Sequence, residues 1–342
     1  MKSFEFWHPR LAEAPYYAAL LLRCGALGLA PKNLAKANYA LDHGELGLGS
    51  KHQTQLAFEQ KYFPPTELID FDLNPTITDT ISTFSKHHGQ DLILKPDMGS
   101  VGKGVLRLDG GQAIATQIPP LQGRYLLQKF SPEPQEYGVF YVRQQGISRI
   151  TGINRKHFPT VVGDGQTPLG ELARRHERSS DHWRIFMKYQ DKHRVPEAGE
   201  SVQLSFIGSH TMGCMFTNDS HLISSTLTDA LDAMCRQQPG FNFGRFDIRT
   251  HSEEHLQQGK FTVIEVNGIA SLPTHMFDPK LSVADAYRIF LLHAKLLVDI
   301  ANEHRAEPMA LDDYAELWRR AKANHATLNH LHQQAMTSAD QA

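Results

Sequence analysis

Two short runs in the C-terminal third hold the residues best suited to chemistry. They are Gly244-Arg245-Phe246-Asp247-Ile248-Arg249 and Phe261-Thr262-Val263-Ile264-Glu265-Val266-Asn267-Gly268. Along a strand, alternate side chains share a face, so Arg245, Asp247 and Arg249 point one way together, as do Glu265 and Asn267. Pairing the runs as a hairpin around residues 252–259 sets Asp247 nearly opposite Glu265. Facing carboxylates repel unless a cation lies between them. Two carboxylates and a carboxamide oxygen are hard donors that suit Mg²⁺ bound to a nucleotide phosphate. The plain alternative is a solvated hairpin face. The apolar flanks Phe246, Val263, Ile264 and Val266 argue instead for central strands, where ionised groups need partners. A second candidate runs from Lys95 to Gly104. Glycines at 99, 102 and 104 let backbone N–H groups approach phosphate oxygens, and Lys95 and Lys103 add charge on either side. Asp97 rules out a Walker A loop, and an ordinary surface hairpin is the competing reading.

The elements that must position these residues alternate in type. Helices are expected over 12–24, 51–61, 77–87, 112–117, 226–236, 282–303 and 312–335. Pro64-Pro65 ends the second and Gly89 the third. Thr167-Pro168 reads as a cap followed by a proline at the first helical position. Strands are expected over 67–71, 91–96, 105–108, 125–130, 136–143, 147–153, 202–207, 244–249 and 261–267. Hairpins and crossovers mix, which indicates an α+β fold.

Composition narrows the function. The 342 residues carry 35 Lys and Arg against 37 Asp and Glu, a net charge of −2, so a general nucleic-acid binder is not expected. With 41% hydrophobic and 21% charged residues, the chain reads as globular. No stretch matches a membrane span or a secretory signal, and the three cysteines (Cys24, Cys214, Cys235) are too scattered for a disulfide framework. A reducing cytoplasm is the expected compartment. The 19 histidines include no His-Glu-x-x-His motif and read as surface and structural residues.

Taken in order, Lys51, Lys95, the glycine hairpin, Gln128-Lys129-Phe130, Glu136, Arg245, Asp247, Glu265 and Asn267 resemble the ATP-grasp superfamily, the D-alanine–D-alanine ligase group in particular. Tyr137-Gly138-Val139 with Val161-Val162-Gly163-Asp164-Gly165 is similar to cyanophycin synthetase and related peptide-forming ligases. The resemblance spans about residues 50–278. It implies two α+β subdomains clasping ATP: a shortened N-terminal region (1–84), a small subdomain with the glycine loop (85–131), a large subdomain with metal and catalytic residues (132–310), and a C-terminal helix (311–342).

The same resemblance assigns roles. Lys51 and Lys95 would hold ATP phosphates, with Lys95 also catalytic. Gly99, Ser100, Val101, Gly102, Lys103 and Gly104 would form the loop over the triphosphate. Gln128, Lys129 and Phe130 would read adenine, and Glu136 the ribose hydroxyls. Arg245 would stabilise the phosphoryl transition state. Asp247, Glu265 and Asn267 would bind Mg²⁺, with Mn²⁺ as a substitute. The implied activity is an ADP-forming carboxylate–amine ligase acting through an acylphosphate. The alternatives are an ATP-grasp kinase and a non-catalytic nucleotide-binding protein. The run Gly268-Ile269-Ala270-Ser271-Leu272-Pro273 lacks the Pro-Gly turn of the D-alanine ligases and points away from D-alanine. Arg155, Lys156, His210, Arg249 and His275 are candidate contacts for an amino-acid or peptide substrate, each with a structural alternative. A homodimer is the expected assembly, as the commonest one.

Overall fold

The computed structural model describes residues 4–47, 49–73, 77–99, 101–108, 121–178 and 180–340. Ser100 and the helix expected over 112–117 lie outside them. Contacts divide the chain into two compact units: residues 1–65, 131–155 and 216–321 in the first, and 66–130, 156–215 and 322–342 in the second. The stretch 156–215 therefore groups with 66–130, whereas the sequence places it in a large subdomain of 132–310. Among the described residues no helix is long and apolar enough to cross a membrane.

The helices used below are α1 (Pro9–Ala26), α2 (Lys51–Leu56), α3 (Ile77–His88), α4 (Leu169–Arg175), α5 (Ser225–Arg236), α6 (Glu253–Gln257), α7 (Val283–Glu303) and α8 (Tyr314–Asp340). The strands are β1 (Thr66–Asp70), β2 (Leu92–Pro96), β3 (Leu106–Leu108), β4 (Arg124–Lys129), β5 (Gln135–Gln144), β6 (Ile147–His157), β7 (Thr160–Val162), β8 (Ser201–Gln203), β9 (Met215–Asn218), β10 (Phe243–Thr250) and β11 (Thr262–Asn267).

The first unit is built on a sheet of order β11-β10-β5-β6-β9, with β10 antiparallel to both β5 and β11. Alternation along these strands makes two faces. One carries Tyr137, Val139, Tyr141, Phe246 and Ile248, all fully buried against α5. The other carries Phe140, Val142 and Phe243 under α7, then continues into Glu136, Gly138, Arg245, Asp247 and Arg249. The polar candidates thus occupy the part of that face which α7 does not cover. The second unit holds a sheet of order β1-β4-β2-β3 with α3 against it, and a ribbon of β7 and β8.

Local chemistry explains where the elements end. Serine hydroxyls cap four helices: Ser50 accepts from Gln53 N, Ser224 from Leu227 N, Ser252 from His255 N and Ser282 from Asp285 N, at 3.0–3.2 Å. Ser252 begins a short helix, α6, where only a hairpin link was expected. The helix expected over 51–61 stops at Leu56, because the Gln60 amide takes the carbonyls of Gln55 and Phe58, each at 2.9 Å. Thr167 does not cap α4. Asp164 takes the N–H groups of Gln166 and Thr167, and Pro168 stands just before the helix. The strand expected over 202–207 shortens to β8, since Ser205 Oγ takes the Ile207 N–H.

Candidate active site

In the first unit the ladder between β10 and β11 pairs Asp247 directly with Glu265 and Arg245 with Asn267, and a register shift follows Asp247. This is the juxtaposition that the sequence spacing predicts. Each acid has a cation beside it. Arg245 Nε lies 2.8 Å from Asp247 Oδ1 and its Nη2 3.2 Å from Oδ2. Lys51 Nζ lies 3.2 Å from Glu265 Oε1. The Asn267 amide reaches Asp247 Oδ2 at 3.4 Å. Burial disfavours the Arg245 charge, but the opposing pull of Asp247 and Glu265 prevails and raises its pKa. Among the described residues no group of three or more His, Cys, Asp or Glu could hold a metal. The donor set is two carboxylates and one carboxamide, all able to present oxygen, and this fits a hard divalent cation.

Lys51 is the first residue of α2, and a tight loop before it supports it. His43 and Glu45 take left-handed backbone conformations, φ 47° and 59°. Such strain in non-glycine residues persists only where surroundings enforce it. Here the Gly44 carbonyl accepts from Asn38 Nδ2 and Ile269 N, each at 3.1 Å. The loop fits because Gly268 has no side chain: a Cβ there would lie 2.2 Å from Gly44 O. Glu45 Oε2 then accepts from Thr54 Oγ1 at 2.7 Å, with Lys51 and Glu265 close enough to act on it electrostatically. Burial raises the Glu45 pKa, partly offset by Thr54 and Lys51.

Sequence reasoning missed Glu45, and it missed Asn154. Gly138, paired with Asp247 across β5 and β10, leaves room above the sheet. A Cβ at 138 would lie 2.3 Å from Asn154 Oδ1 and 3.0 Å from Arg245 Cδ. Asn154 Oδ1 accepts from Thr274 Oγ1 at 2.5 Å, while its Nδ2 is buried without a hydrogen-bond partner. Asn154 precedes the flagged Arg155 on the same strand, so period-two alternation was the available signal. Gly138→Ala is expected to destabilise the protein by about 1–3 kcal/mol and to displace Asn154 and Arg245. Urea unfolding checks the first effect, and unchanged stability would contradict the close approach.

The remaining candidates of this unit are engaged elsewhere. Glu136 and Arg249, level with each other across β5 and β10, form a buried pair (2% and 7% exposed), with Arg249 Nη2 3.0 Å from Glu136 Oε2. Arg249 Nη1 also donates to Ser131 O at 2.8 Å. Arg155 lies on the opposite face from Asn154, 2.7 Å from Glu253 on α6 and over the Tyr137 ring.

His275 is 4% exposed, set over Gly152 and against His293, ring centroids 5.4 Å apart. His293 donates from Nδ1 to Ile289 O and accepts at Nε2 from Thr151. Burial depresses both, His275 to about 3 with the neighbouring His293 adding to it, and His293 to about 4. Protons bind these groups better in the unfolded chain, so stability should fall as pH drops below about 6.5 and keep falling toward 3. The expected loss is on the order of a few kcal/mol per histidine. Urea midpoints at several pH values test this. His293→Phe should flatten the profile, and an unchanged profile would contradict the assignment.

In the second unit, Lys95 Nζ lies 3.1 Å from Gln128 Oε1, and Gln128 Nε2 donates to Thr66 Oγ1 at 2.9 Å. Lys129 is exposed. Phe130 gives its N–H to Asp91 O and stacks under Arg107, so that backbone donor is already engaged. The glycine link belongs to the connection between β2, which ends at Pro96, and β3, which begins at Leu106. Val101, Gly102 and Gly104 have positive φ, and a Cβ on Gly102 would strike Ile207 at 2.3 Å. Lys103 reaches Asn329 at 3.5 Å. Gly99 precedes Ser100, which is outside the described residues. Lys156 is buried and His210 half-buried in a one-turn helix; both belong to this unit.

Neither a family model nor a curated protein sequence matches the chain. Solved structures that resemble it include a bifunctional glutathione synthetase from Pasteurella multocida (12% identity, TM-score 0.38, 71% of this chain and 36% of that one). Others are a D-alanyl-alanine synthetase A from Vibrio cholerae (14%, 0.40, 76% and 66%) and a D-alanine–D-alanine ligase from Coxiella burnetii (9%, 0.43, 81% and 62%). The chain spans about a third of the first and just under two thirds of the other two.

Proposed function

We propose that this protein is an ATP-dependent carboxylate–amine ligase of the ATP-grasp type, acting on an amino acid or short peptide. The observation that carries the reading is the register of Asp247 on Glu265, with Arg245 and Lys51 as their resident cations. Acids and bases paired in this way are held at low net charge in the free protein. They are available to exchange partners when a polyanion and a divalent cation arrive together. Asp247, Glu265 and Asn267 would hold Mg²⁺, which neutralises triphosphate charge when bound.

The reaction has two steps. A substrate carboxylate oxygen attacks the γ-phosphorus of ATP and the bond to ADP breaks, leaving an acylphosphate. An amine nitrogen then attacks the acyl carbon, phosphate leaves, and the amine loses a proton. In the first step the protein supplies position and charge. Arg245 offers a planar fork of donors where charge develops. Lys51 in the first unit, and Lys95 with Gly99–Gly104 in the second, are assigned to phosphate oxygens. Gln128, Lys129 and Phe130 are assigned to adenine. The Glu136–Arg249 pair makes Glu136 a group that must part from Arg249 before it could meet a ribose. Arg249 is accordingly assigned to Glu136 rather than to substrate, and His275 to packing.

The test is incubation with ATP, Mg²⁺, amino-acid pools and hydroxylamine. A ligase yields a hydroxamate together with ADP. A phosphorylated alcohol as product would make the protein a kinase, and absence of any ADP release would make it a binding protein.

A further inference from the structure

Helix α1 buries only one of its stripes. Ala12, Tyr16, Leu20 and Cys24 face inward, with Tyr16 stacked on Phe290 of α7 at 4.5 Å between ring centroids. A surface helix normally turns a charged face to water. This one does not: Leu11, Ala14, Ala18, Leu21, Leu22 and Gly25 make an exposed apolar stripe along its whole length. Leu11 and Leu22 are 70% and 76% exposed. Of its charged residues, Glu13 and Arg23 lie off the stripe and are engaged, with Tyr17 and Asp299, while Arg10 stands exposed at the stripe's N-terminal end. Phe6 and Trp7 ahead of α1, and Leu291 and Leu292 on α7, which packs against α1, are also exposed.

We propose that this face is the two-fold interface of a homodimer, with α1 packed antiparallel on α1 of a second copy and Ala18 near the axis. Two features select a copy of the same chain over another occupant. The first is area. At the size of large apolar side chains, the exposed fractions on α1, its N-terminal flank and α7 amount to roughly 800 Å², about one partner's share of a standard interface. The second is self-complementarity. An antiparallel crossing at Ala18 sets Leu22 level with Ala14 of the copy and Leu11 level with Gly25. Large residues thus meet small ones in both directions, as an isologous contact requires. The only charge along the stripe, Arg10, lies at its outer end, so burying the centre leaves no ion unpaired.

Light scattering on the full chain at about 50 µM, where a standard-size interface is largely saturated, should give twice the monomer mass. Leu11→Glu and Leu22→Glu should each shift the protein to monomer, with the melting temperature of the wild type at high dilution, where it too is monomeric, because both side chains are exposed in the protomer. Ala18→Cys should form a disulfide-linked dimer under mild oxidation; the three native cysteines are buried and cannot compete. Val162→Cys, exposed on β7 in the second unit, serves as control. A monomeric wild type at that concentration, a dimer insensitive to both glutamates, or equal cross-linking at 18 and 162 would each overturn the proposal.

Discussion

Arg245→Ala is expected to lower turnover by roughly a thousandfold or more while ATP uptake persists. Arg245 is held by two bonds to Asp247 and reaches Leu272 O at 3.4 Å, so its fork is aimed by the sheet and by the segment after β11. On the proposed mechanism, removing it deletes the positive charge that meets developing phosphoryl charge, and losing an interaction of that kind lowers turnover without weakening ground-state binding. It also leaves the buried Asp247 without its ion-pair partner, so urea unfolding accompanies the assay. Arg245→Lys keeps the charge and loses the fork, so it should recover only part of the rate. ADP release in the hydroxylamine assay reads the rate, and calorimetry with Mg²⁺ and ATP reads binding. Full turnover in the alanine variant would remove Arg245 from the mechanism. Lost ATP binding would make it a ground-state contact.

Arg249→Met is the second large effect, and it falls on stability. The guanidinium and the Glu136 carboxylate are both nearly inaccessible to water. Removing one partner leaves the other charge buried without compensation, at a cost of about 3–5 kcal/mol. Glu136→Gln combined with Arg249→Met should restore most of that loss, because neither charge then remains. Urea unfolding of the two singles and the double completes the cycle. Additive losses in the double would show that the two residues do not act as a pair, and would return Glu136 and Arg249 to separate roles.

What was legible in the sequence was whatever depends on spacing within one or two adjacent elements. The two-residue period of β10 and β11, paired as a hairpin, brought Asp247 nearly opposite Glu265; the register shift after Asp247 sets them directly level. The hairpin of β2 and β3 around its glycines was legible on the same grounds, as was the amphipathic repeat of α7. The errors were also local in cause. A glutamine at 60 and a serine at 205 take backbone groups that a longer helix or strand would have used, and propensity does not count such competition.

The partners of the candidate residues were not legible, because they come from distant parts of the chain. Arg249 meets Glu136 across 113 positions, and Thr274 meets Asn154 across 120. Nothing in the local pattern distinguishes an arginine that binds substrate from one that neutralises a buried acid. The difference lies in what the facing strand brings level with it. Glu45 depends on a left-handed loop admitted by the bare backbone of Gly268, and Asn154 on the missing side chain of Gly138. Alternation and turn chemistry therefore determined which residues share a face. Only the assembled sheet, through burial and close approach, decided which charges are matched to one another and which polar groups are left without a partner.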